Sequence, residues 1–285
     1  MEIISTSQLN QEQRASVDTL FEKCQAFDHT FYQPYLSSSL NFDPRMPAFI
    51  LAYQKAQLVG LLTMYADDIY PELYIIVDPD MRCQGIGKKV YQRFKNFAPR
   101  YGLQRPTFIS EAIFIDKHPD FIRNCNLHLS SDREYLLYRD RQMFEGISHT
   151  DYSIRLADLG EVTEIAYIQA QAFESHPATS LHYAQTAIAD PESSLYLIEE
   201  AGRIIGSVTV DHSSSRHHIY GLAVALAYQG KGLAQLLLKA TINHLIQTTV
   251  KPFEIIVEDQ NQIAYQLYQK LGFETKTTKL YLDIL

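Results

Sequence analysis

The chain has 285 residues, enough for one large or two ordinary domains. Its 46% hydrophobic and 20% charged content excludes a disordered or fibrous chain. The 33 acidic residues outnumber 25 basic ones for a net charge of -8, which argues against a nucleic-acid binder that neutralises phosphates with surplus Lys and Arg. Along the first half the pattern predicts strands at 48–53, 58–65 and 73–77, a helix at 86–97, a strand at 107–114, a helix near 119–125 and a strand at 134–138. A turn-rich, apolar-poor stretch follows at 146–150. The second half begins with a strand at 152–156. A helix at 161–173 then carries Val162, Ile165, Ala166 and Phe173 on one face, interrupted by Gln169. Strands at 195–199 and 204–210 flank the turn Ala201-Gly202-Arg203 and predict an antiparallel hairpin. A strand at 218–224, a helix with Leu233, Leu236, Leu237 and Ala240 on one face, and a strand at 253–257 form a parallel crossover. A helix at 263–271 and a strand at 280–284 complete the chain. The expected fold class is α+β, a mixed sheet covered by helices.

The chain repeats itself. Gly206 follows Gly60 by 146 residues, Gly232-Leu233-Ala234 follows Gly85-Ile86-Gly87 by 147, Lys251-Pro252 follows Arg105-Pro106 by 146, and Tyr281-Leu282 follows Tyr135-Leu136 by 146. A period of half the chain implies a duplicated domain, with expected units at 1–146 and 150–285. The second half carries the excess acidity, which fits a solubility surface or a site that attracts cations.

The three cysteines (Cys24, Cys83, Cys125) form no C-x-x-C pair, so neither a disulfide framework nor a thiolate zinc site is expected. Reduced thiols and a cytoplasmic location are the expectation. The N-terminus has no basic region before an apolar core, so no signal peptide is expected. The longest mostly apolar stretch, 219–228, is about half a membrane span, and no membrane partner is expected.

The sequence Gln229-Gly230-Lys231-Gly232-Leu233-Ala234 stands between a strand and a helix, matched by Arg82-Cys83-Gln84-Gly85-Ile86-Gly87. A glycine-rich turn opening a helix exposes unpaired N–H groups at the positive end of the dipole, an anion site suited to phosphate. Neither half has a Walker A loop, and Val90 and Gln235 replace the third Rossmann glycine, so ATP and NAD fit poorly. Arg82 or Gln229 offers a side-chain donor from the first loop position.

This pattern, together with Asn261-Gln262-Ile263-Ala264-Tyr265-Gln266-Leu267-Tyr268-Gln269-Lys270-Leu271-Gly272-Phe273, resembles the two signatures of the GNAT family of N-acetyltransferases. The resemblance covers the second half from Ser153 and, more faintly, residues 2–138, as two tandem GNAT-like domains. It implies acetyl-CoA as co-substrate, no metal, and a small-molecule or peptide amine as acceptor. It places the pyrophosphate on residues 229–234 and the pantetheine between splayed strands around Leu222-Ala223-Val224 and Ile255-Ile256-Val257. A backbone N–H near Val224 would polarise the thioester, Asn261 would bond the cofactor amide region, and Tyr268 would protonate the leaving thiolate. Glu258 is the candidate base. Glu254, His218 and Tyr220 are alternatives, the last two expected on one strand face with Leu222 and Val224. Glu174, His176, His182, Tyr183, Asp211 and His212 fall in the expected acceptor region. In the first half Ile75 and Val77 would line the matching gap, but Ile122 replaces Tyr268, which implies a degenerate half. A different function, non-catalytic acyl-CoA binding or sensing, stays open.

Overall fold

The computed structural model describes residues 1–147 and 151–284, so part of the expected 146–150 boundary lies outside the described residues. The elements run β1 (Glu2–Thr6), α1 (Gln11–Asp28), β2 (Phe49–Gln54), β3 (Gln57–Tyr65), β4 (Glu72–Val77), α2 (Ile86–Phe97), β5 (Thr107–Glu111), α3 (Ala112–Lys117), α4 (Phe121–Asn124) and β6 (Leu127–Arg139). Then follow β7 (Tyr152–Leu156), α5 (Val162–Ala172), α6 (Pro177–Ala189), β8 (Ser193–Glu200), β9 (Arg203–Asp211), β10 (His217–Val224), α7 (Leu233–Thr248), β11 (Phe253–Glu258), α8 (Gln262–Lys270) and β12 (Glu274–Ile284). The mixed α/β sheet expected from the sequence is present in two compact units, Met1–Leu136 with the chain from Lys276 onward, and Leu137–Thr275.

In the first unit β1 to β5 lie in sequence order, antiparallel until the parallel β4–β5 pair. The last strand joins this unit: Lys279 to Asp283 pair antiparallel with Glu111 to Thr107. Its Lys279 is buried within 3.3 Å of the Glu72 carboxylate and 3.0 Å of that of Glu134, and donates to the Tyr281 hydroxyl. Met46, Ile50, Leu62, Val90 and Phe94 belong to the core under α2. In the second unit β7, β8, β9 and β10 form an antiparallel series, and β10 meets β11 in parallel. Ile165, Leu195, Leu197 and Ala223 pack together beneath α5.

Several features depart from the sequence reading, β1 among them. The strand expected to reach 114 stops at Glu111. That carboxylate accepts the N–H groups of Phe31 and Tyr32 at 2.8 and 3.0 Å, and the apolar run after it folds into α3, whose Phe114 packs on His118 and Phe121. A short apolar run fits strand or helix alike, so its period could not decide. The helix expected near 119–125 is the single turn α4. Two helices have no counterpart in the sequence reading: α1, whose buried stripe is Val17, Leu20, Phe21 and Cys24 and which Asn10 and Gln13 open with a capping box, and α6. Finally, β10 contains a bulge. Its partners step from Tyr220–Thr209 to Ala223–Ser207, so three residues of β10 span what two span on β9, and Gly221 adopts φ +62°. The extra residue reverses side-chain alternation. His218 and Tyr220 therefore share a face with Ala223, not with Val224 as expected.

The repeated glycines are sites of close approach. A Cβ on Gly206 would lie 2.7 Å from the Ala223 carbonyl oxygen, and one on Gly60 would lie 2.6 Å from Ile86 Cγ2. The Gly206→Ala variant is expected to lose about 1–3 kcal/mol in urea unfolding, as overpacked sites do.

His212 and His217 meet through their Nδ1 atoms at 2.8 Å. Thr249 Oγ1 already donates to the Leu245 carbonyl, so His217 Nε2 donates to Thr249, His212 Nδ1–H donates to His217, and Ser194 donates to His212 Nε2. Burial lowers the His217 pKa from 6.5 to about 4. The unfolded chain thus binds the proton more readily, and the neutral ring's stabilisation is present above pH 6.5 and lost as pH falls through 4. Thermal unfolding between pH 7 and 4 should show a drop on the order of 2–3 kcal/mol that His217→Gln removes.

Candidate active site

In the second unit β10 and β11 pair only at His217–Phe253, His218–Glu254 and Ile219–Ile255. Beyond that point β10 keeps β9 as far as Val224–Gly206, so β10 and β11 part into a gap. The N–H of Ala225 donates to the Ile205 carbonyl at 2.9 Å, which turns the backbone polar groups of Val224 away from β9 and into that gap. Leu222 lies in the bulge, half-buried. Ala223 is buried against the α5 side, so its side chain packs in the core.

At the end of β10 the chain makes one short turn and enters α7 through Gly230 (φ +75°) and Gly232 (φ +78°). Both are left-handed, the region glycine enters without a Cβ penalty. No side chain caps Gly232, and the first helical amide with a partner is Leu236, bonded to Gly232 O. The amides of 230–235 therefore donate to no acceptor among the described residues. Leu233 is buried as the first helical anchor, Ala234 is half-buried, and Lys231 is exposed with its ammonium 4.7 Å from the Tyr228 ring.

The first unit repeats this construction. β4 pairs with β5 only at Glu72–Thr107 and Leu73–Phe108, and Asp78 N–H donates to the Val59 carbonyl, as Ala225 does in the second unit. Gly85 caps α2 at φ +75°, and Cys83 holds the left-handed position of Gly230 at φ +61°. The exposed Gln84 touches Met81, Ile86 is buried, and a Cβ on Gly87 would sit in ordinary contact with Val77 and Ile75.

The first loop residue acts differently from the expected phosphate donor. Gln229 Nε2 donates to the Val224 carbonyl at 3.1 Å, and Arg82 Nε donates to the Val77 carbonyl at 3.2 Å. The rest of the Arg82 guanidinium grips Asp28 at 2.8 and 2.5 Å. Both side chains fasten the loop to the strand end.

Tyr268 lies on α8, buried, its ring edge-on to Phe273 at 6.2 Å, and its hydroxyl has no partner among the described residues. Burial pushes its phenol up to about 12. Asn261 caps α8, with its side-chain oxygen accepting from Ala264 N–H at 3.1 Å. Glu258 stands exposed at the end of β11 with no side-chain partner among the described residues. Glu254 is buried, 2.6 Å from Arg216 and 3.3 Å from His218, while His218 stacks on Tyr220. Of the expected acceptor-side residues, His176 caps α6, Glu174 is exposed, and Asp211 is buried and bonded by Ser213. His212 is committed to the histidine chain.

Two family models match the chain. The one described as "Acetyltransferase (GNAT) domain" covers residues 161–283, and "Acetyltransferase (GNAT) family" covers 14–112. The chain belongs to the GNAT family. It is a tandem GNAT protein, one domain match in each half. A mycothiol acetyltransferase of Gordonia bronchialis is 31% identical over 136 residues, 43% of this chain and 44% of that protein. A Yersinia pestis acetyltransferase is 34% identical over 90 residues, 31% of this chain and 62% of that protein. The chain thus spans about 40–60% of the length of such curated relatives. A tandem GNAT protein from the clavulanic acid biosynthesis pathway shares the fold at TM-score 0.70 and 15% identity, over 99% of this chain and 97% of that one. A GCN5-related N-acetyltransferase from Sphaerobacter thermophilus aligns at TM-score 0.68 and 15% identity, over 99% and 95%.

If the Gln229 amide sets the loop, Gln229→Ala should weaken acetyl-CoA binding by about fivefold in calorimetry, the worth of about one hydrogen bond, with little change in unfolding temperature.

Proposed function

We propose that the C-terminal unit transfers an acetyl group from acetyl-CoA to a primary amine by direct attack in a ternary complex. The observation that carries this is the gap between β10 and β11 ending on a turn with six unpartnered amides. Backbone amides of 230–235 would hold the diphosphate at the positive end of α7. The backbone of Leu222 and Val224 would pair with pantetheine as an added strand, and the Val224 N–H would face the thioester carbonyl, where it stabilises developing negative charge. Asn261, with its amide nitrogen left over from capping, faces the same coenzyme arm. GNAT membership and relatives named acetyltransferases support this reaction class.

Tyr268 supplies the proton to the departing thiolate. A phenol held at about 12 is fully protonated across physiological pH, the state a donor requires. It would be half deprotonated only near pH 12, so a basic limb of the rate profile below pH 10 belongs to another group. Glu258 takes the amine proton: it is the carboxylate at the strand end left without a partner, whereas Glu254 is held by Arg216 and His218.

The first unit suits a different role, holding an acyl-CoA without turnover. Its loop and gap are intact, yet Ile122 stands at the acid position and Glu111, the counterpart of Glu258, is bound by Phe31 and Tyr32. Tyr268→Phe should lower kcat about 100-fold with the acetyl-CoA Kd unchanged, measured by CoA release and calorimetry. Full activity in that variant would sink the acid assignment. Calorimetry that fills two coenzyme sites per chain would support the binding role of the first unit.

A further inference from the structure

One polar residue interrupts the apolar face of α5, and the coenzyme site does not use it. Gln169 is 95% buried, being 5% exposed, beside Ile165 and Ala166. Its Nε2 donates to Ser207 Oγ at 3.2 Å. Its carbonyl oxygen accepts from nothing among the described residues. A Cβ on Gly221, in the β10 bulge, would lie 3.9 Å from that Nε2 and 3.5 Å from Thr209 Oγ1. Ser207 and Thr209 are themselves buried on β9, on the sheet face under α5. Three neutral oxygen-bearing side chains thus converge on the bulge, at the apex where β10 leaves β11, and the next buried residue on that face of β9, Asp211, is held by Ser213. Burying such groups is costly unless they are bonded.

The first unit offers an internal contrast. At the place of Ser207, one residue after the matched glycine, stands Leu61. Its β4 has no bulge. There Tyr74 pairs with Thr63 as Tyr220 pairs with Thr209, but its ring is stacked on Phe21 and set edge-on to Tyr32. The Ser207 hydroxyl and the bulge belong to the half that keeps Tyr268, whereas Thr209 has the buried Thr63 as its match.

We infer that Gln169, with Thr209 and Ser207, is the seat of the acceptor amine: neutral oxygens at the β10 bulge hold the N–H groups of an uncharged primary amine and leave its lone pair toward the gap. Two hydrogens of R–NH2 match the free Gln169 carbonyl and the Thr209 hydroxyl, whereas neutral acceptors give an ammonium no counter-charge. Phe173, whose N–H bonds to the Gln169 carbonyl of the backbone one turn later, is half exposed on the same helix face. It suits an amine carried on an apolar stem. This inference rests on the proposed acetyl transfer and names its acceptor.

The test uses the full chain, acetyl-CoA and phenethylamine as the probe. Gln169→Leu continues the apolar stripe of α5. Its KM for phenethylamine should rise at least tenfold, with acetyl-CoA Kd and unfolding temperature unchanged, and Thr209→Val should raise KM by a smaller factor. KM within twofold of wild type in both variants would overturn the inference, as would a loss confined to kcat or one that tracks a fall in unfolding temperature. A wild-type protein that binds acetyl-CoA but releases no CoA with this amine would overturn the acceptor seat and leave the coenzyme site standing. Failure to bind acetyl-CoA at all would overturn the proposed function with it.

Discussion

The controlling constraint in each half is a strand that keeps one neighbour and gives up the other. β10 stays bonded to β9 through Val224 but leaves β11 after Ile219, and β4 does the same to β5 after Leu73. Backbone groups denied a sheet partner must find another or face water. The turn that follows adds to the shortfall, since glycine or a left-handed cysteine at its corners aims further amides outward. Everything read as a coenzyme site in this protein is a set of main-chain groups left unsatisfied by those two local choices. Side chains mostly serve to fix the arrangement, as Gln229 and Arg82 do by fastening the loop to the carbonyl of the strand before it.

That division of labour explains what the sequence revealed. Glycines are conspicuous, so the loops at Gly85 and Gly232 and the duplication were legible, and so was the Asn261-to-Phe273 signature. Even the bulge left a trace: the spacing between matched residues widens from 146 at Gly60 and Gly206 to 147 at Gly85 and Gly232, which is the one residue that β10 inserts. Yet a slip of one fits a loop equally well, so the sequence pattern does not fix which residues share the face of His218. The destination of Arg82 could not be foreseen, because its partner Asp28 lies 54 residues earlier at the end of an unassigned helix. Nor could the sequence tell that Glu111 and Glu258, at matched strand ends, would meet opposite fates.

The two halves show how one framework diverges. The first unit retains the gap and the loop and closes the rest: a carboxylate tied to Phe31 and Tyr32, a tyrosine stacked on Phe21, a shortened α4 without the phenol. The second unit keeps that region polar and partly open. The matched Glu258 has no side-chain partner among the described residues, and the matched Tyr220 stacks on His218 instead.

The C-terminal strand gives the duplication an uneven dependence. A polypeptide cut near residue 146 would carry every element of the N-terminal repeat and still miss the strand that borders β5. Its Glu72 and Glu134 would lose the lysine that neutralises them, and the bared edge would invite association with other chains. Synthesis from the ribosome therefore leaves the first unit unfinished until residues 276–284 emerge, long after its other strands.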